Sequence, residues 1–399
     1  MSQTIMAEPQ TNSEIPEVAA ARSLFGAITK HTEDIERNKV VPTGLIDQLN
    51  QAGLFNASLP RIMGGTERHP VDLLRIIEQL SYADSGVGWC AMIYLTTSAT
   101  VGNLAPEWAK EIYSVGDKTP LTGGATAPTG RGRKVDGGIE VTGRWAWGSG
   151  THHCDWICGG TLIEDGDDIL RFPSGDPQVH IMYFKRHEVH LHDNWDPSGL
   201  RGTGSVDFEV KNVVVPDGRY TVLGHGKRYL DDLLYQVPFF GLFASAVASA
   251  PLGIARRAVD DFAELSKKKV PTWKTKTINE SSMVQTDLAR AEALSQAAHR
   301  NLFGAMQEVC DKIERGEPLT LDDRRELRMA ATQSTLMCAE AVDIVYNAGG
   351  GTSLQGNCSL QRHFRDIHAA TQHRMVSLQA FQMAGAVRLM GDVPGVAAL

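Results

Sequence analysis

Residues 361–375, QRHFRDIHAATQHRM, concentrate side chains that move protons: His363, His368 and His373, with Arg365 and Asp366 among them. An imidazole titrates near neutral pH, so it can accept, donate or hold a proton under ordinary conditions. On a helical period Asp366 and His373 lie seven apart on nearly one face, with the small Ala369 and Ala370 between them. That face is a candidate floor for a planar cofactor. Upstream, Gly349, Gly350, Gly351 and Thr352 form a turn that ends one helix and lets backbone amides approach a ligand closely. The same residues also describe a core helix with satisfied histidines after an ordinary helix stop. A second concentration lies at 143–150, GRWAWGSG, where Trp145 and Trp147 alternate with Ser149 along an expected strand.

Two metal patterns fail on spacing. His187 and His190 are three apart, where a helical zinc pair needs four, and His152, His153, Cys154 and Cys158 lack a second ligand pair at finger spacing. No metal is expected.

The elements that must position these residues can be read from periodicity. Residues 1–16 read as a loose tail without a signal or transit pattern, and 17–118 as a helical unit. In it Thr43 is an expected N-cap, Gly53 a C-cap, and 83–89 a break between helices. Between 119 and 222 the pattern changes to short strands separated by turns such as Asp136-Gly137-Gly138, which predicts a small barrel or sandwich. Helical segments at about 231–267, 281–315, 321–348 and 361–391 then predict a four-helix bundle over 231–399. The fold class is therefore mainly α with a central β domain.

With 39 basic and 47 acidic residues, a net charge of -8 and no sustained basic run, the chain has little to offer nucleic acid or an anionic membrane. The apolar run at 237–255 is interrupted by Pro238 and Pro251 and reads as a buried helix, not a membrane span. Six scattered cysteines without a pairing framework fit the reducing cytoplasm.

The GRWAWGSG stretch resembles the central β domain of the acyl-CoA dehydrogenase fold. Four other stretches agree in order: 51–65, WDPSGLRGTGS at 195–205, Val213 to Pro216, and FRDIHAATQH at 364–373. Within that superfamily the chain most resembles the flavin-dependent monooxygenases of two-component systems, the group of 4-hydroxyphenylacetate 3-hydroxylase oxygenase components and dibenzothiophene monooxygenases. The resemblance implies a homotetramer that receives reduced flavin, FMNH2 or FADH2, from a separate NAD(P)H:flavin reductase. It also implies reaction of that flavin with O2 at C4a and transfer of one oxygen to a small aromatic or indole-like substrate. A dehydrogenase of this fold needs a carboxylate base; residues 374–378 and the helix segment 235–255 supply none.

The resemblance also distributes roles. Ser149 would hydrogen-bond near flavin N5, with Trp145 and Trp147 walling the ring, and Arg201, Thr203 and Ser205 would form another flavin-contacting loop. Gly349, Gly350, Gly351 and Thr352 would offer amides to the flavin phosphate across a subunit boundary. His373 would be the catalytic base or hydrogen-bond partner of the substrate, and His368 would contact flavin or simply pack. Trp89, Tyr94, Phe239 and Phe243 would enclose an aromatic substrate, although core packing describes the phenylalanines as well. Arg365 and Asp366 are expected to form a local ion pair. Two other functions share the fold: a dehydrogenase or oxidase with a displaced base, and a non-catalytic ligand-binding or assembly protein.

Overall fold

The computed structural model describes residues 14–391 apart from His225. The chain opens with α1 (Pro16–Ser23), α2 (Phe25–Thr29), α3 (Thr32–Asn38), α4 (Thr43–Gln51), α5 (Pro70–Ala83), α6 (Ser85–Ser98) and α7 (Pro106–Tyr113). Thr43 lies just inside α4 and Pro42 takes the cap position, while Gly53 supplies the left-handed turn after that helix. Helix α6 is apolar around its circumference and accordingly buried. Its start was expected to be a break, but Asp84 caps it, accepting from the Gly86 and Val87 amides at 2.9 and 3.2 Å. Gly88 serves packing within the helix: a Cβ there would sit 1.9 Å from Ser81 Oγ of α5.

The strands are β1 (Thr122–Val135), β2 (Gly138–Gly148), β3 (Trp156–Asp165), β4 (Asp168–Ile169), β5 (Val179–Lys185), β6 (His190–Leu191), β7 (Val206–Pro216) and β8 (Tyr220–Val222). They join in the order β6-β7-β2-β1-β3-β5-β8, with β4 on β3. β1 runs parallel to β3 and antiparallel to β2, so the sheet is mixed. Its hydrogen-bonded path has two ends, β6 and β8, rather than closing on itself, and β1, at 14 residues, is longer than the short strands expected. The β1–β2 hairpin turns through Asp136 and Gly137, the latter left-handed at φ 82°.

The feature that creates the site is at the end of β2. Trp145 pairs with Phe208 but Gly148 pairs with Val206, three steps against two, so the strand bulges. Trp147 takes the bulge in a left-handed conformation, φ 62°, which throws its indole outward and breaks the alternation that would have aligned it with Ser149.

The helical remainder comprises α8 (Leu233–Gln236), α9 (Phe239–Ser266), α10 (Ser282–Glu314), α11 (Leu321–Ala348), α12 (Ser359–Thr371) and α13 (Gln379–Met390). Helix α11 packs against α9, α10, α12 and α13. Among the described residues one helix, α9, is long and apolar enough to cross a membrane, yet 78% of its apolar window is buried inside the fold. A Cβ on Gly253 would lie 2.3 Å from the Glu78 carbonyl oxygen, so α9 and α5 touch backbone to backbone there. The expected single segment 361–391 is two helices separated by a short 3-10 turn, Arg374–Val376.

Candidate active site

Ser149 follows the bulge and is buried. Its Oγ lies 2.6 Å from Ser205 Oγ, which lies 2.6 Å from Thr203 Oγ1, which donates to the Leu200 carbonyl at 2.8 Å. On the other side the Trp89 indole N–H donates to Ser149 Oγ at 3.2 Å. Leu200 is itself left-handed, φ 51°, and its N–H donates to Asp366 Oδ1 at 2.7 Å. The second Asp366 oxygen accepts from Ser85 Oγ at 2.5 Å. Asp366 thus ties α12 both to the start of α6 and to the loop carrying Thr203 and Ser205. Burial pushes its carboxyl above the usual range.

Trp89 carries this hydroxyl chain to His373. The two rings meet edge-on with centroids 5.6 Å apart, and Phe243 meets the opposite side of His373 edge-on at 5.5 Å. Phe239 continues the aromatic wall 5.8 Å from Phe243. His373 lies two residues beyond α12, and its Nδ1 accepts the Met375 N–H at 3.2 Å. An Nδ1 that accepts carries no proton, so the neutral ring holds its hydrogen on Nε2 and is a donor there. Burial among these rings, and then the charge of Arg328, hold the imidazole down to about 4. Arg328 is buried on α11 and donates to the Met375 carbonyl at 3.2 Å.

Trp89, Ser149, Thr203, Ser205, Phe239, Phe243 and His373 therefore come together as anticipated. Others do not. Tyr94 is a core residue: five positions from Trp89 it points about 140° away around the helix, donates to the Gly150 carbonyl at 3.0 Å and packs on Phe55. Trp145 is fully buried, stacks on Phe208 and donates to the Gly160 carbonyl at 2.8 Å, so it walls nothing. Trp147 is 73% exposed beside Ser149, an open indole face. Arg201 is engaged by the Glu36 and Pro197 carbonyls at 3.2 and 2.9 Å and by the Asp196 carboxylate, which commits its guanidinium to its own loop and to α3.

His368 pairs with Asp343 at 2.8 Å and packs on Phe364. Arg365 pairs with Glu36 at 2.7 Å rather than with Asp366, because both Asp366 oxygens face inward to other partners. Ala370 is fully buried, so the alanine pair is no open floor. Among the described residues the glycine turn meets Lys269, Ser353 and Leu360 and not the hydroxyl chain. Gly350 and Gly351 are exposed. A separate open cavity of about 500 Å³ between α10, α11 and α13, lined by Asn301, Met329 and Phe381 among others, shares no residue with the aromatic wall.

Sequence reading missed Ser85, Leu200 and Arg328. The one available signal was Arg328, a charge preceded in sequence by Leu327 and followed by Met329 and Ala330.

Residues 19–113 match the acyl-CoA dehydrogenase N-terminal domain and residues 245–378 the acyl-CoA dehydrogenase C-terminal domain, together more than half of the chain. The indole-3-acetate monooxygenase of Pseudomonas putida is 27% identical over 354 residues, covering 89% of this chain and 88% of that one. The p-hydroxyphenylacetate 3-hydroxylase oxygenase component of Acinetobacter baumannii is 26% identical over 401 residues, 96% and 92% of the two chains. Among solved structures, XiaF from Streptomyces sp. in complex with FADH2 and glycerol superposes with a TM-score of 0.85 at 20% identity, covering 95% of this chain and 96% of that one.

Proposed function

The chain belongs to the acyl-CoA dehydrogenase family, and from that premise we propose that it is the oxygenase component of a two-component flavin-dependent monooxygenase acting on a small aromatic or indole-like compound. One observation carries the reading: Trp89 joins the Ser149 hydroxyl and the His373 imidazole in a single wall faced by Phe243. The residues present suit a reduced flavin. Ser149 retains acceptor capacity at a buried point, and Trp147, whose carbonyl accepts the Ser149 N–H at 2.9 Å, presents an exposed indole from the same bulge. Ser149 would hold the ring edge and Trp147 would cover its face.

Reduced flavin, when bound, supplies the two electrons that let O2 give one oxygen to the substrate and one to water. The protein's share is positioning and exclusion. Phe239 and Phe243 keep water from the substrate side, and His373 Nε2–H donates to an oxygen there. The dehydrogenase reading lacks its base, since the Asp366 oxygens are both engaged and the site-facing half of α9 carries no acid.

The chain divides into helical 17–118, β 119–222 and bundle 231–399 units, works as a homotetramer in the cytoplasm, and draws reduced flavin from a separate reductase. Gly350 and Gly351 are exposed, which supports a role for the amides of the Gly349 to Thr352 turn at the flavin phosphate of a neighbouring copy. Indole-3-acetate and p-hydroxyphenylacetate are the first substrates to try, by likeness to the two monooxygenase relatives. Protein, chemically reduced FMN or FAD and each aromatic are mixed under 18O2. One labelled oxygen in the product is expected, and unlabelled or unchanged aromatic across an indolic and phenolic panel overturns the assignment.

A further inference from the structure

We propose that Thr203 and Ser205 are positioning residues that fix the direction of the Ser149 proton, and thereby make the cofactor position selective for flavin in its reduced form. This rests on the reading above, in which flavin is the group that meets Ser149.

The direction follows from counting protons. A carbonyl has none, so the hydrogen between Leu200 and Thr203, at 2.8 Å, is the threonine's only one. Thr203 can then only accept from Ser205 at 2.6 Å, which consumes the Ser205 proton. Ser205 in turn can only accept from Ser149, also at 2.6 Å, which consumes the Ser149 proton. The Trp89 N–H occupies one Ser149 lone pair at 3.2 Å. What Ser149 has left is one lone pair and no hydrogen to give.

Flavin N5 bears an N–H when reduced and a bare lone pair when oxidised. The reduced form complements Ser149. The oxidised form sets lone pair against lone pair, and relief would require turning all three hydroxyls and taking the shorter of two hydrogen bonds from the Leu200 carbonyl, which would keep only the Thr203 backbone N–H at 3.2 Å. That carbonyl is not free to follow, because Leu200 is held by the Asp366 carboxylate through its own N–H.

The test measures dissociation constants of the full-length protein for FMN and FAD, oxidised in air and dithionite-reduced without oxygen. The wild type should bind the reduced form about tenfold or more tightly, the worth of one satisfied against one opposed hydrogen bond. Thr203→Val and Ser205→Ala release the Ser149 proton and should bring the ratio of the two constants toward one. Thr203→Ser keeps the hydroxyl and should restore it, and Trp89→Phe, which leaves the proton direction intact, should keep the preference. Reduced flavin bound with an unaltered ratio in both Thr203→Val and Ser205→Ala removes the relay and leaves the monooxygenase reading standing. Failure of the wild type to bind reduced flavin removes both.

Discussion

At the scale of single residues the consequential group is His373, because its Nδ1 bond to Met375 decides what the other nitrogen can do. A ring with its hydrogen on Nε2 donates and cannot serve there as a base. His373→Gln, which can still present an N–H, should keep most of the kcat/KM for the aromatic substrate, whereas His373→Leu should lose about tenfold, the worth of one hydrogen bond. Equal and large losses in both would return the residue to a base. Protonation gives a second check. The folded ring, held to about 4 by burial and Arg328, takes up its proton later than an unfolded histidine near 6.5. Between those values the unfolded chain binds more protons, so stability is intact above about 6.5 and declines as pH falls toward 4. The His373→Gln thermal midpoint should fall less over that window than the wild type's. Neither inference could be drawn from the sequence, since the cap bond exists only because α12 stops at Thr371.

At the scale of elements, Asp366 is the joint among α12, α6 and the loop that carries Thr203 and Ser205. Asp366→Ala would leave the Ser85 hydroxyl and the Leu200 amide buried without their acceptor, a loss of roughly 3 kcal/mol. It should lower the thermal midpoint and weaken flavin binding together, since one loop serves both; a lower midpoint with flavin affinity unchanged would contradict the coupling. Gly199→Ala should act alike, because its Cβ would come within 2.1 Å of the Arg365 carbonyl oxygen. The helices themselves were readable: expected segments 281–315 and 321–348 became Ser282–Glu314 and Leu321–Ala348. Apolar repeats report which face is buried, but not what lies opposite it. That is why the residue pattern points Tyr94 to the pocket although it faces the core, and Asp366 to its sequence neighbour although its partners lie in α6 and at Leu200. The left-handed Trp147 and the sheet bulge also left no trace in the residue pattern, because a bulge is set by the partner strand.

At the scale of the whole molecule, Leu378, Leu389 and Met390 are at least 66% exposed among the described residues, as is Leu354 at 70%. Sedimentation should return the mass of four chains, and a monomer at micromolar concentration would count against the tetramer. The order helices, strands, helices was visible from periodicity, since helical and alternating periods exclude one another; the assembly of one wall from all of them was not. That wall takes Trp89 from α6, Ser149 from the end of β2 and His373 from beyond α12. About 220 residues separate the last two, so at ordinary translation rates His373 leaves the ribosome on the order of 20 s after Ser149. A nascent fragment that stops short of His373 therefore has the hydroxyl chain and Trp89 but not the imidazole side of the wall.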